Sequence, residues 1–326
     1  MQLVINKYGA SIKVKNDMFV VGYEKEYHNV PVSKVKSILI NKSVQLTSNV
    51  LFLAIEHEIE VVLIGKTGTP KGRIWSSKYG SISSIRKNQA VFSKSNAAIV
   101  WIKSLIKQKI ENQQTLIISL QKYDYSNKQH IEISYKKLQK SIEKLMNLKE
   151  ENTTLITDKI RGIEGYSSKL YFEVLNNNLP DMYKFKKRSQ HPAFDMVNAM
   201  LNYCYGILYI HVERALILAG IDPYLGVFHR DTYNRPVLVY DVIEIFRVWA
   251  DFVVLDLCMQ KIMFPDFFDV NNNVWLLNEN GKRILVNSFN NYMDEIIAMK
   301  GNSRSRTIHI ELWAKSFAQK LKVFIE

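Results

Sequence analysis

The chain has 326 residues, 47% hydrophobic and 23% charged, ordinary globular values that exclude a wholly disordered protein. Its 44 Lys and Arg against 31 Asp and Glu leave a formal charge of +13, which favours polyanionic partners such as nucleic acid. Cys204 and Cys258 are its two cysteines, so neither a disulfide framework nor a four-cysteine zinc site can be built, and a reducing, cytoplasmic location is expected.

Residues 1–90 read as short β-branched runs: Leu3–Ile5, Ser11–Val14, Met18–Val21, Val35–Ile40 and Glu60–Ile64. Gly9, Asn16-Asp17, His28-Asn29 and Gly65 supply turn signals between them. One helix, capped by Thr47 or Ser48, interrupts the strands and ends near His57, and a last strand lies around Arg73–Trp75. The Ser/Lys/Asn-rich stretch 81–96 is expected to be a hinge or linker. Beyond residue 90 the apolar period becomes helical, as in Ile99, Ile102, Leu105, Ile106 and Ile110 and again in Ile131, Tyr135, Leu138, Ile142 and Leu145. A long helix is expected from about Pro192 to Ala219, stopping at Gly220. Another should start after Pro236 and continue to about Ile262. The fold class that follows is a multidomain α+β protein. A small N-terminal β-sandwich-like domain (1–90) precedes a larger, all-α domain (91–326).

The first residues lack the apolar core of a signal peptide, and Ala199–Ile210 and Val248–Met259 are too short or too charged to span a bilayer, so no membrane role is expected. Three familiar-looking strings are chance. Gly65-Lys66-Thr67 lacks the earlier glycine of a phosphate loop, since Glu60 stands there. His57-Glu58 lacks the second histidine of a zinc helix, and His229-Arg230-Asp231 lacks the metal-binding asparagine of a kinase loop.

Three segments carry chemistry. Arg161-Gly162-Ile163-Glu164-Gly165-Tyr166 places a glutamate between glycines on a helix, at a cost of about 1 kcal/mol per glycine relative to alanine. Such a cost suggests that something approaches the backbone closely. Gly220 to His229 turns out of the long helix and presents an imidazole, a good ligand for a divalent metal. Asp241, Glu244 and Arg247, spaced three apart, share one face of an otherwise apolar helix. Alone, each has an ordinary explanation: a solvated glutamate, a hydrogen-bonded histidine, an intrahelical ion pair. Together, carboxylates and an imidazole could converge on Mg²⁺ or Mn²⁺ and act on a phosphodiester. Arg161, Lys169, Arg188, Arg230 and Arg247 are candidate DNA contacts, together with Lys186, Lys187, Lys282, Arg283, Arg304 and Arg306.

These residues also form a familiar series. In chain order they are Glu164-Gly165 with Tyr171-Phe172, Asn198-Ala199-Met200-Leu201-Asn202-Tyr203, Ala219-Gly220-Ile221-Asp222-Pro223 leading to Gly226-Val227-Phe228-His229, and Val239-Tyr240-Asp241-Val242-Ile243-Glu244-Ile245-Phe246-Arg247. The series resembles the CRISPR-associated integrase family, endonuclease-like proteins that insert new spacers into CRISPR arrays. The likeness extends to Val30-Pro31-Val32 and Thr47-Ser48 in the N-terminal part. It implies Glu164, His229 and Glu244 as metal ligands and catalytic residues, with Asp241 an acidic companion or alternative ligand. It also implies a β-domain homodimer, and a heterohexamer with a small ferredoxin-like acquisition partner. The implied substrate is double-stranded DNA, protospacer and repeat, joined by attack of a 3′-hydroxyl on a repeat-boundary phosphodiester. The rivals are a transposon-borne integrase relative and a catalytically silent DNA-binding scaffold. The first would be expected to carry an extra helical module beyond Trp313 and Phe317, for which this chain has little room.

Overall fold

In a computed structural model the described residues are 1–65, 68, 70–74, 83–122, 127–149, 153–229, 235–299 and 301–325. The N-terminal elements are β1 (Gln2–Ile5), β2 (Ser11–Lys15), β3 (Met18–Tyr23), β4 (Glu26–Pro31), β5 (Ser37–Asn41), β6 (Gln45–Leu46), α1 (Ser48–Glu56), β7 (Glu60–Ile64) and β8 (Pro70–Ile74). They form two four-stranded sheets, β1-β5-β7-β8 and β4-β3-β2-β6. Asn16 and Asp17, both with positive φ, make the tight turn between β2 and β3, a conformation that suits the right-handed twist of a hairpin. His28 and Asn29, expected in a turn, instead lie inside β4, which pairs with β3 from Met18↔Pro31 to Tyr23↔Glu26. As an edge strand, mostly exposed, β4 has no apolar alternation to betray it.

Strands β5 and β7 are buried on both faces, which is why they read as continuous apolar runs. Ile38, Ile40 and Val61 point into the core between the sheets with Ile12, Phe19 and Val50. Leu39, Val62 and Ile64 point the other way and pack on Ile210 of a helix in the second half of the chain. Alternation along two strands thus fills one core and docks the sheet onto the helices.

The helical part contains α2 (Ser83–Phe92), α3 (Asn96–Ser119), α4 (Lys128–Met146), α5 (Thr153–Asn178), α6 (Met196–Leu218), α7 (Val237–Ile243), α8 (Arg247–Met259), α9 (Glu279–Asp294) and α10 (Arg306–Lys322). Two short hairpins interrupt the helices, β9 (Phe268–Asn271) with β10 (Val274–Leu277) and β11 (Ile296–Met299) with β12 (Asn302–Ser305), so this part is not purely α. Within the expected hinge, Ser83–Phe92 is helix. Asn88 Nδ2 donates to Leu321 O at 2.9 Å and Gln89 Nε2 to Asp222 O at 2.7 Å, fastening α2 to the helical part. The helix expected to run unbroken to Ile262 divides at 244–246, between α7 and α8. There the backbone tightens to i→i−3 bonds, Phe246 N to Ile243 O at 2.9 Å, and Asn112 Nδ2 of α3 caps the carbonyl of Ile245 at 2.7 Å. Among the described residues no helix is long and apolar enough to cross a membrane.

Candidate functional site

The imidazole is placed by a loop that the sequence folds locally. Helix α6 ends in paired 6→1 and 5→2 bonds, Ile221 N to Leu216 O and Gly220 N to Ile217 O, with Gly220 at φ 80°. The loop then lies against α7. A Cβ on Gly226 would come within 2.6 Å of Val237 Cγ2 and 2.8 Å of His229 O, so only glycine allows that approach. Asp241, buried in α7, accepts from the backbone N–H of Val227 (2.8 Å), Phe228 (3.0 Å) and His229 (2.9 Å), and its Oδ1 lies 2.6 Å from His229 Nδ1. A carboxylate accepts here, so Nδ1 carries a proton and Nε2 is the ring nitrogen that can offer a lone pair. With four donors on its two oxygens, Asp241 holds the loop and the ring and has no lone pair left over for a metal. Arg161, read as a DNA contact, braces the same loop by donating to Phe228 O at 2.7 Å, and it also pairs with Asp158.

The two glutamates meet at a residue that the sequence reading passed over. Glu164 of α5 and Glu244 at the end of α7 both pair with Lys109 of α3, whose Nζ is 2.6 Å from Glu244 Oε2. Ser168 Oγ also donates to Glu164 Oε1 at 2.8 Å, and Arg247 Nη1 pairs with Glu244 Oε1 at 2.6 Å. Burial alone would raise the Glu244 carboxyl pKa. Arg247 and Lys109 outweigh it and hold the group below the ordinary carboxylate range, so it stays ionised. Burial would likewise lower Lys109, but Glu244 and Glu164 hold the ammonium above the usual lysine value. The turn at 244–246 therefore sits where Asp241 must face the histidine loop while Glu244 faces α3 and α5.

Behind Arg247 lies a buried network. Asp251 accepts from Tyr171 (2.8 Å) and Tyr205 (2.5 Å), and burial pushes its carboxyl up to about 6 against those hydrogen bonds. Arg188, held by Asn198 (2.7 Å) and Asn202 (2.6 Å), and Arg247 both lie over the Tyr205 ring, at 5.2 and 5.1 Å. Asp251, Tyr205, Arg188 and Arg247 face an open cavity of about 1600 Å³ whose lining includes Glu164, His229 and Glu244. Among the described residues ten Lys and Arg line it against six Asp and Glu, so it suits a polyanion. Lys169, Lys186 and Lys187 are exposed on its wall. Arg306 is not available as a phosphate contact, being buried and paired with Glu295 at 2.7 Å. Lys282 is tied to Glu279 at 3.0 Å, and Arg230 lies outside the described residues. Gly162 and Gly165 are exposed, and a Cβ on either would point into open space, so nothing in the fold makes the close approach that the two glycines suggested.

The donor set suits a divalent ion. Glu244 Oε2 is buried and meets the Lys109 ammonium at 2.6 Å, which takes one of its lone pairs and leaves a second over. Glu164 Oε2 and His229 Nε2 complete an oxygen and nitrogen set fit for Mg²⁺ or Mn²⁺. Among the described residues, however, no three His, Cys, Asp or Glu side chains are already gathered as a metal-binding group. An ammonium stands between the carboxylates instead. Lys109 had one signal in the sequence: with Gln113 it interrupts the apolar stripe of α3, one turn apart, and both are buried.

Two carboxylates and a braced imidazole at the wall of a basic cavity, on helices docked to a small β-sandwich, define a polyanion-handling protein of α+β build. The chain belongs to the Cas1 family: residues 3–291 match the family described as CRISPR associated protein Cas1. A curated relative, CRISPR-associated endonuclease Cas1 1 of Archaeoglobus fulgidus, is 29% identical over 334 residues, covering 99% of this chain and 96% of that protein. Among solved structures, a casposase bound to integration product superposes with a TM-score of 0.85 at 21% identity, covering 98% of this chain and 90% of that one. A chain of a Cas6-RT-Cas1–Cas2 complex gives 0.80 at 18% identity, covering 98% of this chain and 35% of that one. At such identities the solved structures speak for the fold alone.

Proposed function

We propose that the protein is a divalent-metal-dependent DNA endonuclease and integrase of CRISPR adaptation, with Glu164, His229 and Glu244 holding one Mg²⁺ or Mn²⁺. The observation that carries this reading is the pairing of Glu164 and Glu244 around a single cation on the wall that also presents His229. The bound ion would polarise a phosphodiester and stabilise the leaving oxygen. Asp241 keeps His229 in the tautomer that offers Nε2, and Arg247 keeps Glu244 ionised. Exposed Lys169, Lys186 and Lys187 hold the phosphates of the strands, with Arg188 and Arg247 deeper in the cavity. In strand joining, the 3′-oxygen of the incoming strand bonds to phosphorus as the bond from that phosphorus to the repeat strand's own 3′-oxygen breaks. The proton of the attacking hydroxyl passes to solvent, and the released oxygen is protonated in turn, so phosphodiesters are conserved and no energy source is needed.

The family assignment and the relative's name support the CRISPR role and the nuclease activity. The casposase likeness supports a shared integrase fold, and the solved assembly that holds Cas1 with Cas2 supports a small partner. A homodimer through the N-terminal sheets fits the exposed Tyr8, Tyr27 and Phe52 there. In the test, Glu164→Ala should lower metal-dependent joining of protospacer ends to a repeat-bearing plasmid by at least about 100-fold. DNA affinity should hold. Undiminished joining by the variant would refute the metal centre, and no joining by the unaltered protein would favour a silent scaffold. Joining to any target without regard to the repeat would favour the transposon-type relative.

A further inference from the structure

Lys109 lies on the apolar stripe of α3, between Ile106 and Ile110 on one side and Gln113 on the other, with its side chain 7% exposed. A lysine so buried needs a charge partner, and this one has two, Glu164 and Glu244. Those two carboxylates are balanced by two cations, Lys109 and Arg247, so the cluster is already neutral without a metal. A divalent ion entering beside an ammonium that stayed in place would meet strong like-charge repulsion.

We propose that the Lys109 ammonium is a displaceable occupant of the cation position between Glu164 and Glu244, and that it leaves when a divalent ion enters. This inference rests on the metal-centre reading above. Three observations carry it. The ammonium touches both glutamates that the metal would need. Its 2.6 Å contact with Glu244 Oε2 is an ion pair, which a doubly charged ion can replace with a stronger one. A second acceptor waits one helical turn along: Gln113 Oε1 is buried without a hydrogen-bond partner, and Gln113 lines the same cavity as Lys109. Side chains on a helix lean toward its N-terminus, so Gln113 reaches back over the turn that carries Lys109. Lysine also suits the task better than arginine, because its compact head sits on a flexible stem and carries no planar fork to lock both carboxylates. The consequence is a centre that stays neutral and ordered when metal is scarce and that binds metal by exchange. Its apparent metal affinity is weakened by the ammonium it must expel.

The experiment measures Mn²⁺ binding to the full chain without DNA, by calorimetry or by the loss of the free-ion electron paramagnetic resonance signal. Lys109→Gln should bind Mn²⁺ at least about 10-fold more tightly than the unaltered protein, about 1.4 kcal/mol. Equal or weaker binding by a variant with native circular dichroism overturns the proposal. A second measurement uses the unaltered protein alone. Acetylation of Lys109 by acetic anhydride, read by peptide mass spectrometry, should rise several-fold when Mn²⁺ is added, and a rate indifferent to Mn²⁺ overturns the proposal. Glu164→Ala separates the two levels. If it loses Mn²⁺ while Lys109→Gln gains nothing, the exchange is wrong and the metal centre stands. If Glu164→Ala and the unaltered protein bind Mn²⁺ alike, both fail.

Discussion

Among the described residues two places set a cation between two glutamates, and they differ in ways that separate scaffolding from chemistry. Where the N-terminal sheet meets α6, Arg73 pairs with Glu60 and Glu213, all three side chains 10% exposed or less. At the candidate site, Lys109 pairs with Glu164 and Glu244, and Glu164 is 25% exposed to the cavity. The first cation is a rigid fork that can grip both carboxylates at once, while the second is a point charge on a flexible stem. The pKa directions differ too. Burial outweighs Arg73 and pushes Glu213 up to about 7, with Glu60 also raised, whereas Arg247 and Lys109 overcome burial and keep Glu244 ionised. A carboxylate held ionised beside a movable cation can become a ligand, and one clamped by a guanidinium joins two parts of a fold.

The largest expected effect lies at the clamp. Arg73→Met leaves two buried carboxylates facing each other across the sheet–helix contact and should cost about 3–5 kcal/mol in denaturant unfolding. A loss below about 1 kcal/mol would mean that the clamp is not structural. A smaller effect sharpens the site itself. Asp241→Asn cannot accept from three backbone N–H groups and His229 Nδ1 together, so the imidazole loses its fixed tautomer. Mn²⁺ affinity should fall by about 10–100-fold, the usual effect of losing a partner that orients a metal-binding histidine. An unchanged affinity would remove His229 from the ligand set.

What was legible in the sequence follows the same division. Strands β5 and β7 announced themselves because burial on both faces leaves the unbroken apolar runs Ile38–Ile40 and Val61–Ile64, and α6 announced its end through Gly220. The edge strand β4 did not, because its side chains face water and its position is set by pairing with β3. The break at 244–246 was invisible because it carries neither proline nor glycine, and it is stabilised by Asn112 from a distant helix. Glu164, His229 and Glu244 stood out as polar groups on apolar elements, and the structure sets all three on one cavity wall. Lys109, Tyr205 and Asp251 did not stand out, since their partners lie 46 or more residues away and only tertiary packing brings them together.

The most direct test is an anomalous difference map from crystals of the full chain soaked in Mn²⁺. The account predicts one strong peak bounded by Glu164, Glu244 and His229 Nε2, with the Lys109 side chain turned away toward Gln113. A peak elsewhere in the cavity, or none while the ammonium still bridges the two glutamates, would contradict it.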